Sequence, residues 1–332
     1  MDTNDAKPSM RQSRLTLGSV TATVTLVLCA LACDGTPQDR ESSLVPLQPS
    51  QAQAERIQRA DDALSLDPEN VDLILEASFA REDVWRYAEA VELYGRGLEI
   101  APTDYRLYLG RAHRLIRLRQ FDAALDDLDR AVQLDPYGFN SAYLRGLTYY
   151  LTGRFDDAAQ EYGRCTTLAR DEAALALAEA GGVPGDPRHC MFVATDPQSL
   201  VAITAWRYRA LRRAGHHDEA SHLLDPISEG LSLSEGGLPE YGASIIKPDN
   251  NEHYYHLLLF FKGLEPEREL LDRDRWGAQW STVAHGIAVW HLVEGDTNRA
   301  MQLLREIVAE PHWARLGHVA AETDLIRLRR DP

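Results

Sequence analysis

Between Pro68 and Arg170 the apolar residues fall at three- and four-residue spacing in short segments separated by polar turns. Leu144, Leu147, Tyr149 and Leu151 make one such set, and Ala124, Leu125, Leu128, Ala131 and Val132 another. That spacing predicts amphipathic helices, each with one buried stripe. The helices come in pairs and the pairs recur: Leu66-Asp67-Pro68, Ile100-Ala101-Pro102 and Leu134-Asp135-Pro136 stand 34 residues apart. A fixed period in that range marks a solenoid. Within each period a small residue occupies place 8 (Ser78, Ala112, Gly146) and another place 20 (Ala90, Ala124, Ala158). Two helix backbones are therefore expected to approach closely there, where large side chains would push them apart. No single pair can bury its apolar face alone, so neighbours must stack.

Further places repeat as well: Tyr94 and Tyr162 share place 24, and Gly97, Ala131 and Cys165 share place 27, before Arg170 replaces the proline of the earlier units. The layout resembles the tetratricopeptide repeat, a helix-turn-helix of 34 residues with the pattern W-x2-L-G-x2-Y, A-x3-F, P. The resemblance implies an all-α fold, a solenoid wound as a right-handed superhelix, and protein binding as its class of work. Residues 51–172 form the main array, with the helix over 51–66 as its N-terminal cap. An irregular insertion over 173–199 follows, where Gly181, Gly182, Pro184, Pro187 and Pro197 predict a loop.

Residues 200–332 read as degenerate helical pairs. Gly215 serves as an inter-helix turn in the manner of Gly153, and a Gly/Pro-rich connection covers 228–251. HYYHLLLFFKG then pairs with PERELLDR, and a last unit has Ala288, Gly295 and Ala300 at places 8, turn and 20. A helix over 314–330, carrying Glu322, Arg327 and Arg330, is expected to close the array with a face toward water.

The first 32 residues read differently. Lys7, Arg11 and Arg14 precede a mostly uncharged stretch from Leu15 to Ala32, the pattern of a signal peptide. It ends in Ala30-Leu31-Ala32-Cys33, which resembles a bacterial lipobox. That resemblance implies acylation of Cys33, a lipid-anchored protein on the periplasmic side of the cell envelope, and, through Asp34, the inner membrane rather than the outer. An uncleaved membrane anchor and a plain, unlipidated signal peptide are the other readings of the same stretch. Residues 33–50, rich in proline, serine and charge, make a flexible tether.

In the tetratricopeptide family the inner groove is lined chiefly by places 2, 5, 9 and 12 of each first helix. The resemblance thereby implies a partner-binding groove containing Phe79, Arg106, His113, Tyr143, Tyr150, Arg209 and Arg212. Aromatic and arginine side chains are the types that concentrate binding energy, so a peptide with apolar and acidic groups suits such a face. The same positions also suit helix packing, with the arginines paired to local acids, and both readings stand. The family's carboxylate clamp needs two lysines, two asparagines and an arginine where this chain has Leu75, Phe79, Gly110, Asn140 and Leu144, so that mode is not expected.

Cys165 and Cys190 leave two arrangements open. One is a disulfide pinning the insertion to its helix; the other is a buried thiol beside an unrelated loop thiol. Nine of the 11 histidines lie after residue 200, but no HExxH or paired Cys/His spacing accompanies them, so no metal is expected. No G-x-S-x-G elbow, P-loop or G-x-G-x-x-G is present, so neither catalysis nor a cofactor is expected. A net charge of −16 argues against nucleic acid. The sequence points to an adaptor for another protein, tethered to the membrane through its lipidated N-terminus. Its alternatives are a binder of a small ligand or envelope polymer, or an accessory subunit of an envelope enzyme complex.

Overall fold

In a computed structural model, residues 44–168, 171–173, 176, 180, 189–193, 197–227 and 251–330 are described. The expected signal peptide, Cys33, most of the tether, most of the 173–199 insertion and all but the last residue of the 228–251 connection lie outside them.

The array opens with α1 (Gln51–Leu66), capped by Ser50 and Gln53 in a reciprocal capping box. Three pairs follow: α2 (Val71–Glu82) with α3 (Tyr87–Ile100), α4 (Tyr105–Arg117) with α5 (Phe121–Leu134), and α6 (Phe139–Leu151) with α7 (Phe155–Leu168). Asn70 and Asp104 cap α2 and α4 by accepting from backbone amides of the first turn. The small residues expected at the helix crossings are fully buried: Ser78, Ala90, Ala112, Ala124 and Ala158 are each 0% exposed. At Gly146 a β-carbon would lie 2.6 Å from the Tyr162 ring. Arg111–Asp127 and Arg145–Glu161, both 2.6 Å, repeat one intra-pair salt bridge a period apart.

The later pairs are α8 (Pro197–Ala214) with the short α9 (His217–His222), and α13 (Trp280–Val293) with α14 (Thr297–Val308). Between them α10 (Glu252–Phe261) lacks the single partner helix expected from PERELLDR. That segment forms two separate turns, α11 (Glu267–Leu270) and α12 (Arg273–Trp276). Asp272 caps the second by accepting from the Asp274 amide, and this local bond competes with helix continuation.

Among the described residues one chain reversal unites the five pairs and α10 with the turns that follow it. Within three residues of the end of each first helix one residue has positive φ, and the next amide donates to the carbonyl five residues back, as in Arg86→Arg81, Arg154→Tyr149 and Asp296→His291. Gly153, Gly215, Gly263 and Gly295 fill four of these turns at φ between 82° and 90°. Trp85 (φ 59°) and Arg119 (φ 62°) fill the other two, where a side chain costs about 1–2 kcal/mol.

Those two side chains reach the C-terminal segment. Trp85 meets Trp313 edge-on at 5.5 Å, and Arg119 donates to the Trp313 carbonyl (2.9 Å) and to Glu322 (2.8 Å). At the third turn, Arg327 donates to the carbonyls of Tyr150 and Leu151. The last helix, α15 (Leu316–Arg330), thus lies along the turns of the first three pairs and directs Glu322 and Arg327 at the array, while Arg329 and Arg330 at its end are exposed to water as expected. It also packs on α13 and α14.

Cys165 of α7 and Cys190 are joined by a disulfide, with Cα atoms 4.8 Å apart. The Cys190 amide donates to the Tyr137 carbonyl (2.7 Å), placing residues 189–193 against the link between α5 and α6.

Candidate functional site

The first helices α2, α4 and α6 present one common face, and the C-terminal helices divide it into three parts. At the N-terminal end the face is open. Phe79 is 45% exposed, although α2 is otherwise well packed, and Arg106 on α4 is similarly accessible. Arg106 is already held by acids, donating to Asp72 at 2.9 Å and to Asp104 at 2.6 Å. These bonds, led by Asp104, push its guanidinium above the usual range.

Deeper along the face lies a cavity of about 750 Å3, walled by α4, α6, α8, α10 and the start of α13. Phe139 and Tyr143 stack along one wall at 5.7 Å. Tyr143 meets Tyr254 hydroxyl to hydroxyl at 3.0 Å, and the Trp206 indole N–H donates to Tyr254 at 3.1 Å. Burial pushes the Tyr143 phenol well above its usual range, with Tyr254 adding to the effect. Two arginines from distant parts of the chain face this space. Arg117 donates to the Ala314 carbonyl and to His113 Nε2 (2.9 Å), while Arg315 donates to the carbonyls of Gly277 and Ala278. His113, between Arg114 and Arg117, is pushed well below the usual imidazole range by burial and then by the Arg117 charge.

The third part is closed. Tyr150 and Arg209, expected in the groove, are both 0% exposed. Tyr150 packs edge-on against Trp206 (5.3 Å) and His285 (6.1 Å). Arg209 lies 3.6 Å over the Trp206 ring and donates to the Ala205 carbonyl. Arg212 points elsewhere, to Glu294 (2.6 Å) and the Tyr208 hydroxyl (2.9 Å). These positions leave the groove because α13 covers the face that a longer, open array would leave bare.

At the centre of the covered part Asp324 of α15, 0% exposed, accepts from His285 Nε2 (2.9 Å), Arg213 (2.9 Å) and Arg327. His285 Nδ1 in turn accepts from Arg209 at 3.3 Å, which fits a neutral imidazole protonated at Nε2. Burial lowers the His285 imidazole against the pull of Asp324. Burial alone would raise the Asp324 carboxyl, but Arg213, His285 and Arg327 outweigh it and hold the group well below the carboxylate range.

Of the seven groove residues read from the sequence, the structure leaves Phe79 and Arg106 open, places Tyr143 at the cavity, and sets His113 beside Arg117. The sequence reading missed Arg117, Tyr254 and Arg315 at the cavity. No spacing rule links positions so far apart, and only the return of α15 to the array brings Arg315 near Arg117. Among the described residues no cluster of three or more histidine, cysteine or acidic side chains could hold a metal ion.

Residues 139–172 match a family model described as the tetratricopeptide repeat. Among curated proteins, the small glutamine-rich tetratricopeptide repeat-containing protein 2 of Mycosarcoma maydis is 34% identical over 77 residues, 23% of this chain and 22% of that protein. The protein of the same name from Saccharomyces cerevisiae is 26% identical over 91 residues, 27% of this chain and 26% of its own length. Sperm-associated antigen 1 of Mus musculus is 31% identical over 85 residues, covering 26% and 9% respectively. The similarity therefore spans about a quarter or less of each relative.

Proposed function

The chain belongs to the tetratricopeptide repeat family, and from that premise we propose that it is a non-enzymatic scaffold, tethered to the cell envelope, that binds a segment of another protein. The segment docks on the open end of the first-helix face, over α2 and α4. The observation that carries this reading is Phe79, a large apolar side chain 45% exposed at a groove position of the repeat. Such an anchor suits an apolar side chain of the partner. Arg106 lies beside it but is held by Asp72 and Asp104, so it fixes the rim and contributes less to recognition than the sequence alone suggests. The covered middle of the face limits the partner to a short segment.

Tethering rests on the basic start, the apolar stretch and Cys33. The Cys165–Cys190 disulfide supports export, because such bonds persist in oxidising compartments. In the proposed arrangement acylated Cys33 holds the protein at the periplasmic side of a membrane, the inner one by virtue of Asp34.

Two measurements test the two halves of this reading. Capture from native membranes with the mature chain is expected to retrieve a protein that the Phe79→Asp variant loses while keeping wild-type helicity. Equal capture by both would remove the docking site from α2. Cys33→Ala is expected to move the protein from the membrane to the soluble fraction; a variant that still sediments with membranes would refute lipid tethering.

A further inference from the structure

The cavity beside the open face has a charge character opposite to that of the protein as a whole. The chain carries 51 acidic residues against 35 lysines and arginines, yet the described residues that line the cavity include Arg117 and Arg315 and no carboxylate. Among the described residues neither Arg117 nor Arg315 has an acid within salt-bridge distance. Their hydrogen-bond partners are carbonyl oxygens and one imidazole, and Arg117 also lies 5.7 Å over the uncharged Tyr87 ring. This is unlike Arg81, Arg106, Arg111, Arg145, Arg207, Arg212 and Arg213, which all pair with acids. Taking a guanidinium partly out of water without a counter-charge is costly. Consistent with that cost, burial lowers both groups from the usual arginine range.

Each guanidinium carries five donors in a fixed fork, and the carbonyls and His113 use only part of them. The two come from segments far apart in sequence, and Arg117 donates to Ala314, the residue next to Arg315. Phe139 and Tyr143 supply a flat apolar wall beside them. About 750 Å3 is within the size range of small-molecule sites.

We propose that this cavity binds a small organic carboxylate, its oxygens held between Arg117 and Arg315 and its body laid against Phe139 and Tyr143. The ligand supplies a counter-charge that none of the described residues gives these two arginines, through the charge-assisted, fork-shaped bonds arginine makes with carboxylates. Phe79 does not line this cavity, so the two sites are tested by different variants and different ligands.

The test uses the mature chain and 4-bromobenzoate, with the uncharged 4-bromobenzamide and inorganic phosphate as comparisons. Calorimetric titration is expected to show saturable binding of the benzoate, and none of the amide. Arg315→Gln should weaken that binding about tenfold or more. Because Arg117 also contacts its own fold, the second measurement needs no variant: bromine anomalous scattering from wild-type crystals soaked in 4-bromobenzoate should peak beside Phe139 and Tyr143. The proposal fails if the benzoate does not bind, if the amide binds equally, if phosphate alone binds, or if the bromine lies elsewhere. It fails equally if an Arg315→Gln variant with wild-type helicity binds the benzoate undiminished.

Discussion

The Asp324→Ala variant is expected to melt about 10 °C below the wild type at pH 7, the largest effect of any single substitution considered for this fold. Asp324 is fully buried and is the acid shared by Arg213, Arg327 and His285. Removing one partner of a buried charge network costs roughly 3–5 kcal/mol, because the groups left behind keep their desolvation without their counter-charge. Here Arg213 and Arg327 would lose their acid, and Arg209 would lie near them through a His285 that no longer has an acceptor. For a folding unit of this size each kcal/mol shifts the melting point by about 2–4 °C.

The same network sets a pH dependence with a definite sign. The folded Asp324 carboxyl is held below its ordinary value, so its contribution is fully present above the unfolded value of about 3.9 and is lost as pH falls through the folded one. His285, lowered by burial, acts in the same direction, since the unfolded imidazole takes up its proton from about pH 6.5 downward. The gap between wild-type and Asp324→Ala melting points should therefore narrow on acidification below about pH 3.9. Equal melting points at pH 7 would show that the network does not hold α15 in place.

What could be read from the sequence was what repeats. The period of 34 located the first three pairs, and the start and end of α1 agree with the expected 51–66. Gly153, Gly215 and Gly295 marked true turns, because only glycine takes that backbone conformation without strain. Trp85 and Arg119 occupy the same turns with side chains and gave no such signal. Their positions make sense only beside Trp313 and Glu322, about 200 residues on or more, where clasping the C-terminal segment offsets the strained turn. Asp324 was hidden for a related reason. On an isolated helix the charged residues of 316–330 read as a water-facing surface, and nothing local reveals that Arg213 and His285 wait opposite. The groove failed at Tyr150 and Arg209 because family positions transfer the direction of a side chain but not what the rest of the chain lays over it.

The Gly317→Ala variant is expected to lose about 3 kcal/mol, near the upper end for an overpacked contact, although it adds one methyl group. A β-carbon at Gly317 would lie 2.4 Å from the Ser281 carbonyl carbon and 2.5 Å from the Ser281 oxygen and the Thr282 nitrogen. These are backbone atoms at the start of α13, and a side-chain rotation cannot relieve the overlap. At Gly146 the nearest atoms belong to the Tyr162 ring, which has some freedom to move; at Gly317 the helices themselves must separate. Displacing α15 from α13 also pulls Asp324, two turns further along, from His285. Gly317→Ala and Asp324→Ala should therefore be less than additive, since each removes part of what the other removes. A useful control is Gly95→Ala, where the added carbon meets only an Arg111 terminal nitrogen at 3.9 Å and the helix should gain roughly 0.5–1 kcal/mol. Thermal melts of the two single variants, their combination and the control decide the matter. Additive losses would mean that α15 is held at two independent points, and an unchanged Gly317→Ala melting point would mean that α15 does not rest on α13 as closely as the structure places it.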